Sequence, residues 1–387
     1  MPNFEDYTPS LVPKLKQLVE IETPSHDKSA LDRVGEFVAR ECRQLGAQVI
    51  THPQKEIGNL VEARFFPSPT KKRSKVESEG GNDEGEKKIL LLAHMDTVFP
   101  MGILAKMPFH ENDEKVFGPG VADMKGGIVV ALGALKAAIE NGSLAHPITI
   151  LFTSDEEIGS LGSRSLIETL AAEAGLVLVL EPGMRDGAVK TWRKGVGEFR
   201  VCAHGRAAHA GGDHEKGRNA IEEIAHQVIA IQKMTDYKRG TTLNVGTIHG
   251  GIASNVVPDE ASIEVDLRVM IPGEAERIGL AIQALKPATA GTSLEVSGGL
   301  NRPPMLFTNT IKSTFEKIKE IAARENINLA ASGTGGASDA NFVAALGIPV
   351  LDGLGPAGGD YHSEREYIIK DSLAERSKLL CAIFRDW

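Results

Sequence analysis

The sequence predicts an α/β protein: a mostly parallel sheet flanked by helices, with an inserted α+β domain of ferredoxin-like layout. Three observations predict it. The chain has 387 residues, beyond the ~100–200 of one ordinary domain. Continuous apolar runs of strand length alternate with stretches of helical period, which indicates a parallel sheet covered on both faces. From about Lys190 the texture changes to half-exposed, alternating strands in the order β-α-β-β-α-β, the split ferredoxin-like arrangement. The expected division is a larger domain over 1–188 and 301–387 with a smaller one inserted over 189–300.

The elements follow in order. Leu11, Leu15, Leu18 and Val19 are spaced for one helical face. Pro13 is then expected in the first turn, where a missing N–H is harmless. A second helix carries Leu31, Val34, Phe37, Val38, Cys42 and Leu45, with Gly46 as its stop. "NLVEARF" and "KILLLAH" read as strands. Between them "PSPTKKRSKVESEGGNDEGEKK" has almost nothing to bury and reads as a flexible hairpin insertion at 67–88. A basic binding patch at Lys71–Arg73 is countered by the acids that follow it. "GGIVVALGALKAAIENG" is helical, "ITILFTSD" a strand, "LGSRSLIETLAAEAG" helical and "LVLVLEPG" a strand. The inserted domain runs through "GVGEFRVCAHG", a helix at "NAIEEIAHQVIAIQKM", the strands "TTLNVGTIHGG" and "ASIEVDLRVMI", a helix at "EAERIGLAIQAL" and the strand "SLEVSG". Near Asn301 the pattern returns to the first domain: helices at "IKSTFEKIKEIAARE", "SDANFVAALG" and "DSLAERSKLLCAIFRDW", and a short strand at "IPVLDG".

Composition excludes several classes. The chain is 42% hydrophobic, enough for real cores, but only 5% aromatic, with a net charge of −9. That argues against a nucleic-acid partner, whose phosphates such a surface repels. No apolar run reaches the ~18 residues of a membrane span, so no membrane partner is expected. "MPNFEDYTPS" lacks the layout of a signal peptide. Cys42, Cys202 and Cys381 are far apart in apolar, periodic stretches and read as buried free thiols of a reducing compartment. The expected location is cytoplasmic.

In open parallel sheets, ligands bind beyond the carboxyl ends of the strands. "ILLLAHMDTV" ends at His94, with Asp96 two residues on. "ITILFTSDEE" ends at Glu156 and Glu157, and "LVLVLEPG" at Glu181. Between the first two lies "GPGVADMKGG" with Asp123; late in the chain comes "DYHSE" with His362. Only histidine and carboxylate recur, a ligand set that suits zinc or a similar divalent ion. Two ions need a shared bridge, and a carboxylate such as Asp123 can use both oxygens. Asp96 lies on the same side of its strand as His94 and could accept the other ring N–H, fixing the tautomer. Of the adjacent glutamates, Glu157 could ligate while Glu156 faces the water as general base. Taken singly, each acid is more often a helix cap or a solvated loop group, and His362 an ordinary loop histidine. Their convergence at one sheet edge is what favours a metal site.

The segments "LLLAHMDTV", "GPGVADMKGG", "TSDEEIGSLGS", "LVLEPG", "GRAAHAG" and "SGTGGASDANF…DYHSE" resemble the zinc metallopeptidase family of glutamate carboxypeptidases, aminoacylases, acetylornithine deacetylases and succinyl-diaminopimelate desuccinylases. They run in the family's order over nearly the whole chain. The resemblance implies two Zn²⁺ ions, with Co²⁺ or Mn²⁺ as substitutes. Asp123 would bridge them; His94 and Glu181 would complete one site, Glu157 and His362 the other. It implies Glu156 as catalytic base, Asp96 orienting His94, and a cis peptide after Asp123. The inserted domain matches the family's dimerisation or lid domain and implies a homodimer. There His209 would stabilise the oxyanion in the partner subunit's active site, while Asn255 and Arg268 would bind the substrate carboxylate. An ion pair with Asp266 is the structural alternative for Arg268. A third metal site at His204, His209 and His214 suits no single helix face. Gly335 and Gly336 offer backbone N–H groups before a helix, a cradle for a carboxylate.

The resulting expectation is a di-zinc hydrolase cleaving the amide bond of a small peptide or N-acyl amino acid with a free C-terminal carboxylate. "GTGGASDANF" followed by "GLGPAGGDYHSE" places it nearest glutamate carboxypeptidases, with an N-acyl amino acid deacylase as the runner-up. A peptide-binding protein on an inactive scaffold is the non-enzyme rival; Glu156 and every ligand position are filled, which speaks against it. A two-metal nuclease or phosphatase needs phosphate-binding cations, and only Lys125 and Arg268 are at hand.

Overall fold

A computed structural model describes residues 8–67 and 88–387; the charged stretch read as a hairpin insertion lies, apart from its end residues, outside them. The backbone forms two compact units, one ending its first stretch at Trp192 and continuing through Phe307–Gly333 and Ser338–Trp387, the other comprising Arg193–Leu306 and Thr334–Ala337. Along the chain come α1 (Thr8–Val19), α2 (Lys28–Gln44), β1 (Gln48–His52), β2 (Leu60–Phe65), β3 (Lys88–His94), α3 (Gly126–Glu140), β4 (Ile148–Thr153), α4 (Arg164–Ala172), β5 (Ala174–Val179) and β6 (Val189–Arg193). Next are β7 (Gly195–His204), α5 (Ala220–Gln232), β8 (Thr242–Gly250), β9 (Glu260–Val269), α6 (Pro272–Gln283) and β10 (Ser293–Arg302). The chain closes with α7 (Asn309–Arg324), β11 (Ala331–Thr334), α8 (Ala340–Ala345), β12 (Val350–Asp352) and α9 (Ser372–Asp386).

The first unit is built on an eight-stranded sheet in the order β1-β2-β4-β3-β5-β12-β6-β11. Its centre, β4-β3-β5-β12, is parallel. The flanking pairs β1-β2, β2-β4 and β12-β6 are antiparallel, so the sheet is mixed at its flanks. The β3 core Ile89–Ala93 and β4 residues Ile150, Leu151 and Phe152 are buried, because helices cover both faces and leave no polar side. The parallel direction brings His94 into register with Thr153 and so gathers the carboxyl ends of β3, β4 and β5 at one edge.

Helix boundaries follow local chemistry. Asp27 caps α2 by accepting the Ala30 N–H at 2.9 Å, and Gly46, at φ +88°, ends it. Pro13 departs from expectation: it sits inside α1, beyond the first turn. An interior proline costs ~3 kcal/mol. The buried face of Leu11, Leu15, Leu18 and Val19 outweighs this, since each such side chain contributes ~1.5–3 kcal/mol. Helix α3 is buried along nearly its whole length. At its start a Cβ on Gly127 would lie 2.0 Å from the Leu180 carbonyl oxygen, so only glycine lets α3 approach the end of β5.

In the second unit the sheet order is β8-β9-β7-β10, antiparallel throughout. Ile224 and Ile231 of α5 and Ile278 and Ile282 of α6 pack with Phe199, Val201, Ile263, Val265 and Leu267. Strand β7 alternates strictly, odd positions buried and even ones outward. Cys202 is therefore only half-buried, a correction to the expectation of three buried thiols; Cys42 and Cys381 are buried, and all three are free. Among the described residues no helix is long and apolar enough to cross a membrane.

Gly127→Ala is expected to destabilise the protein by ~1–3 kcal/mol or more through overpacking, read as a lower urea midpoint. An unchanged midpoint would mean that α3 is free to move off β5.

Candidate metal centre

Four loops at the carboxyl edge of the first unit's sheet bring the acids and histidines together. His94 ends β3 and is buried. Its Nε2 lies 3.0 Å from Asp123 Oδ1 and 3.4 Å from Glu181 Oε1. His362 presents its Nε2 3.3 Å from Asp123 Oδ2 and 3.5 Å from Glu157 Oε2. The two oxygens of Asp123 thus face two different histidines. His94, Asp123 and Glu181 form one group, and Asp123, Glu157 and His362 another, with ligand atoms within 4.8 Å of one another in each. Glu156 stands outside both groups.

The local backbone is unusual. The Asp123–Met124 peptide is cis. Gly120 has φ +70°, and a Cβ there would lie 2.6 Å from Thr97 Cγ2. His362 itself is left-handed, at φ +59°, a conformation that costs a non-glycine residue ~1–2 kcal/mol. The neighbouring Tyr361 hydroxyl faces Gly183 O at 2.9 Å and Gly358 O at 3.1 Å, tying the His362 loop to the segment that follows Glu181.

The electrostatics show what the centre fits. Burial alone would lower His94, but its bonds to Asp123, Asp96 and Glu181 outweigh that and hold it well above the usual imidazole range. Burial opposes ionisation of Asp123, yet hydrogen bonds from His362 and His94 hold its carboxyl well below the usual range. Glu157 is pushed strongly upward, first by burial and then by the charge of Asp123. Its Oε1 is buried and meets no hydrogen-bond donor, a deficit of ~1–3 kcal/mol for an acceptor left bare. Crowded carboxylates with a bare buried oxygen are what bound cations would neutralise. The oxygen and nitrogen donors, with no thiolate, fit zinc, cobalt or manganese.

Asp96 does more than the sequence suggests. His94 Nδ1 lies 3.0 Å from the Asp96 carbonyl oxygen and 3.4 Å from its Oδ1, so the main chain makes the shorter contact with the ring. The carboxylate also accepts the N–H of Glu156 at 3.2 Å, the N–H of Glu157 at 3.1 Å and the hydroxyl of Ser25 at 2.8 Å. Ser25 carries no motif that reveals it. Glu366 was also missed. It is fully buried and accepts the N–H groups of Gly120, Ala122 and Asp123 at 3.3, 2.8 and 3.0 Å; burial pushes its carboxyl up to about 7. Lys190 was not anticipated either; its Nζ lies 4.0 Å from Glu181 Oε2. Lys125 is buried and donates to the Ile21 carbonyl at 2.8 Å, which turns it from the phosphate-binding role weighed above.

In the second unit, His209 and Asn255 are neighbours: His209 pairs with Val256, and the Ala210 N–H donates to Asn255 O at 3.0 Å. Arg268 lies far off. Glu260, at the near end of β9, pairs with His204, whereas Arg268 pairs with Val196; at ~3.4 Å per residue that is ~27 Å along the strand. The Arg268 guanidinium grips Asp266 through Nε at 2.9 Å and Nη2 at 2.8 Å. Gly335 and Gly336 belong to the second unit and α8 to the first. The Gly336 N–H is turned to Thr334 Oγ1 at 3.3 Å.

Comparison with known proteins gives the centre a context. The family model described as Peptidase family M20/M25/M40 matches residues 90–386. The chain is 32% identical over 392 aligned residues to carboxypeptidase G2 of Pseudomonas sp. (strain RS-16), covering 98% of this chain and 90% of that protein. The aminopeptidase PepT of Bacillus cereus shares the fold at a TM-score of 0.77, with 23% identity over 98% of both chains. So does a Bacillus subtilis protein described as a dinuclear metal-binding peptidase of family M20, at a TM-score of 0.64 with 14% identity over 98% of both chains.

Asp96→Asn exchanges an acceptor oxygen for a donor that faces N–H and O–H groups. Affinity for divalent ions is expected to fall ~10–100-fold, measured by competition with a chromogenic chelator. Ser25→Ala should shift it the same way by less, and equal affinity in both variants would remove Asp96 from the task of holding the centre.

Proposed function

This chain belongs to peptidase family M20/M25/M40, and we propose that within it the protein is a di-zinc, glutamate carboxypeptidase-like hydrolase. It would cleave the amide bond of a small peptide or N-acyl amino acid whose C-terminal carboxylate is free. The observation that carries the reading is Asp123, whose two oxygens face His94 and His362 separately, each beside one glutamate. His94, Glu181 and Asp123 would hold one ion, and Glu157, His362 and Asp123 the other. Bound there, two divalent ions supply Lewis-acid polarisation of the scissile carbonyl and of the attacking water.

The protein's own groups do the rest. Glu156 takes the water's proton and returns it to the departing amine. Its backbone N–H is held by Asp96, so its carboxylate starts from a defined place. His209 donates to the oxyanion, and Arg268 and Asn255 take the substrate carboxylate. Arg268 would have to release Asp266 or share its guanidinium, whose fork geometry suits two acceptors. Gly335 and Gly336 would line the same carboxylate. A dipeptide spans at most ~7 Å, far less than the separation of Arg268 from His209 along β9. One substrate can meet both only if two copies contribute, which supports a homodimer with His209, and Asn255 beside it, acting on the partner's centre. The free cysteines support a cytoplasmic setting.

Glu156→Gln is expected to keep its bound metal, measured by atomic emission, while kcat drops ~10²–10⁴-fold; turnover near the parent's would assign the base elsewhere. With zinc restored to chelated protein, dipeptides and N-acyl amino acids bearing a free α-carboxylate should be hydrolysed and their C-terminal amides left intact. Faster cleavage of N-acetyl amino acids than of dipeptides would favour the deacylase reading.

A further inference from the structure

The ring of His209 accepts the backbone N–H groups of two glycines. Its backbone is fixed on both sides: His209 pairs with Val256, the Ala210 N–H donates to Asn255 O at 3.0 Å, and the Asp213 N–H donates to His209 O at 3.0 Å. The chain then curls back so that the N–H groups of Gly211 and Gly212 both point at His209 Nδ1, at 3.1 and 2.9 Å. A backbone amide can only donate. Nδ1 must therefore present its lone pair, and a neutral imidazole then carries its single proton on Nε2. Two successive N–H groups converging on one acceptor form a small concave nest. The ring closes it as an anion closes other nests, and the opposite nitrogen is left facing outward from an exposed residue.

We infer that Gly211 and Gly212 are positioning residues that set His209 as a hydrogen-bond donor through Nε2. The inference rests on the proposed role of His209 at the oxyanion and says which atom performs it. With Nδ1 engaged and Nε2 protonated, the ring turns no free lone pair towards a metal. His209 is then a donor rather than a ligand, and the third metal site weighed for His204, His209 and His214 loses its central member. What the ring can serve is an acceptor: a carbonyl oxygen that gains negative charge during attack. A donor already aimed needs no tautomer exchange at the moment of reaction.

Glycine is used here for more than its freedom. A Cβ on Gly211 would come 3.4 Å from His209 Cε1, and one on Gly212 3.6 Å from Nδ1. Both are ordinary contacts, so alanine keeps the N–H groups and fits beside the ring, whereas proline removes a donor.

The test uses the metal-loaded enzyme with ¹⁵N-labelled histidine, in mildly alkaline buffer. The His209 signals, identified by their loss in His209→Ala, should show Nδ1 unprotonated and Nε2 protonated. A proton on Nδ1 overturns the inference without recourse to any variant. Gly211→Pro and Gly212→Pro should shift the His209 signals towards mixed tautomers and lower kcat with little change in KM, while Gly211→Ala and Gly212→Ala should keep the parent's spectrum and kcat. In a second arm, glutamine sets its amide near the place of Nε2 and asparagine near that of Nδ1. His209→Gln should then retain at least ~10-fold more kcat than His209→Asn; equal values overturn the assignment to Nε2. If His209→Ala, →Asn and →Gln all match the parent's kcat, it is the oxyanion role that fails, and the spectrum alone decides the tautomer.

Discussion

The centre depends on one buried carboxylate. Asp96 takes the hydroxyl of Ser25, the N–H groups of Glu156 and Glu157, and the flank of the His94 ring. These groups belong to three separate stretches of chain. Strand pairing sets the end of β4 beside the end of β3, and the shared acceptor fixes how the turn that follows lies against it. A charged acceptor makes each of these bonds stronger than a neutral one, ~1.5–3 kcal/mol against ~1, and the low dielectric of a buried site adds to that. The main-chain amides of both adjacent glutamates are anchored here, while only the Glu157 carboxylate joins the group of Asp123 and His362.

The arrangement works against electrostatics elsewhere. Asp123, Glu157 and Glu181 crowd together, and like charges at close range in a water-poor site raise one another's proton affinity. The upward shift of Glu157 and the bare Oε1 record that cost. The fold offsets it with backbone donors and with loops that cannot relax. Glu366 collects three amides of the Gly120–Asp123 turn, so the residue facing both histidines is held from behind by a second carboxylate. The Tyr361 hydroxyl ties down the remaining loop, in which His362 keeps its left-handed φ. A site of this kind is pre-organised by the protein and completed by cations.

The second unit has a different logic. Its sheet is antiparallel, with one face packed on α5 and α6, and its functional candidates sit at the two ends of β9 rather than at one sheet edge. His209 and Asn255 share one end, Arg268 the other. A ten-residue strand keeps the two ends apart by far more than the length of a dipeptide.

Much of this was legible in the chain. Local periodicity marked the helices and strands, and apolar runs that stop at His94, Ser154 and Leu180 marked a parallel sheet with acids at its carboxyl edge. Those signals are local: side-chain spacing and the end of a hydrophobic run do not depend on what packs against them. The short strands β1, β6 and β11 left too little pattern to read, and Pro13 and Cys202 needed the actual helix start and strand face. Ser25, Lys190 and Glu366 could not be picked out, since a lone polar residue looks the same on a surface loop as beneath a metal centre. Their meaning comes from partners as distant as 72 residues for Ser25 and 246 for Glu366. The sequence by itself determined which donors exist and the order in which strands deliver them. The tertiary structure decided which amides and hydroxyls close around each carboxylate, because hydrogen bonds of ~3 Å form only after packing has brought remote segments together.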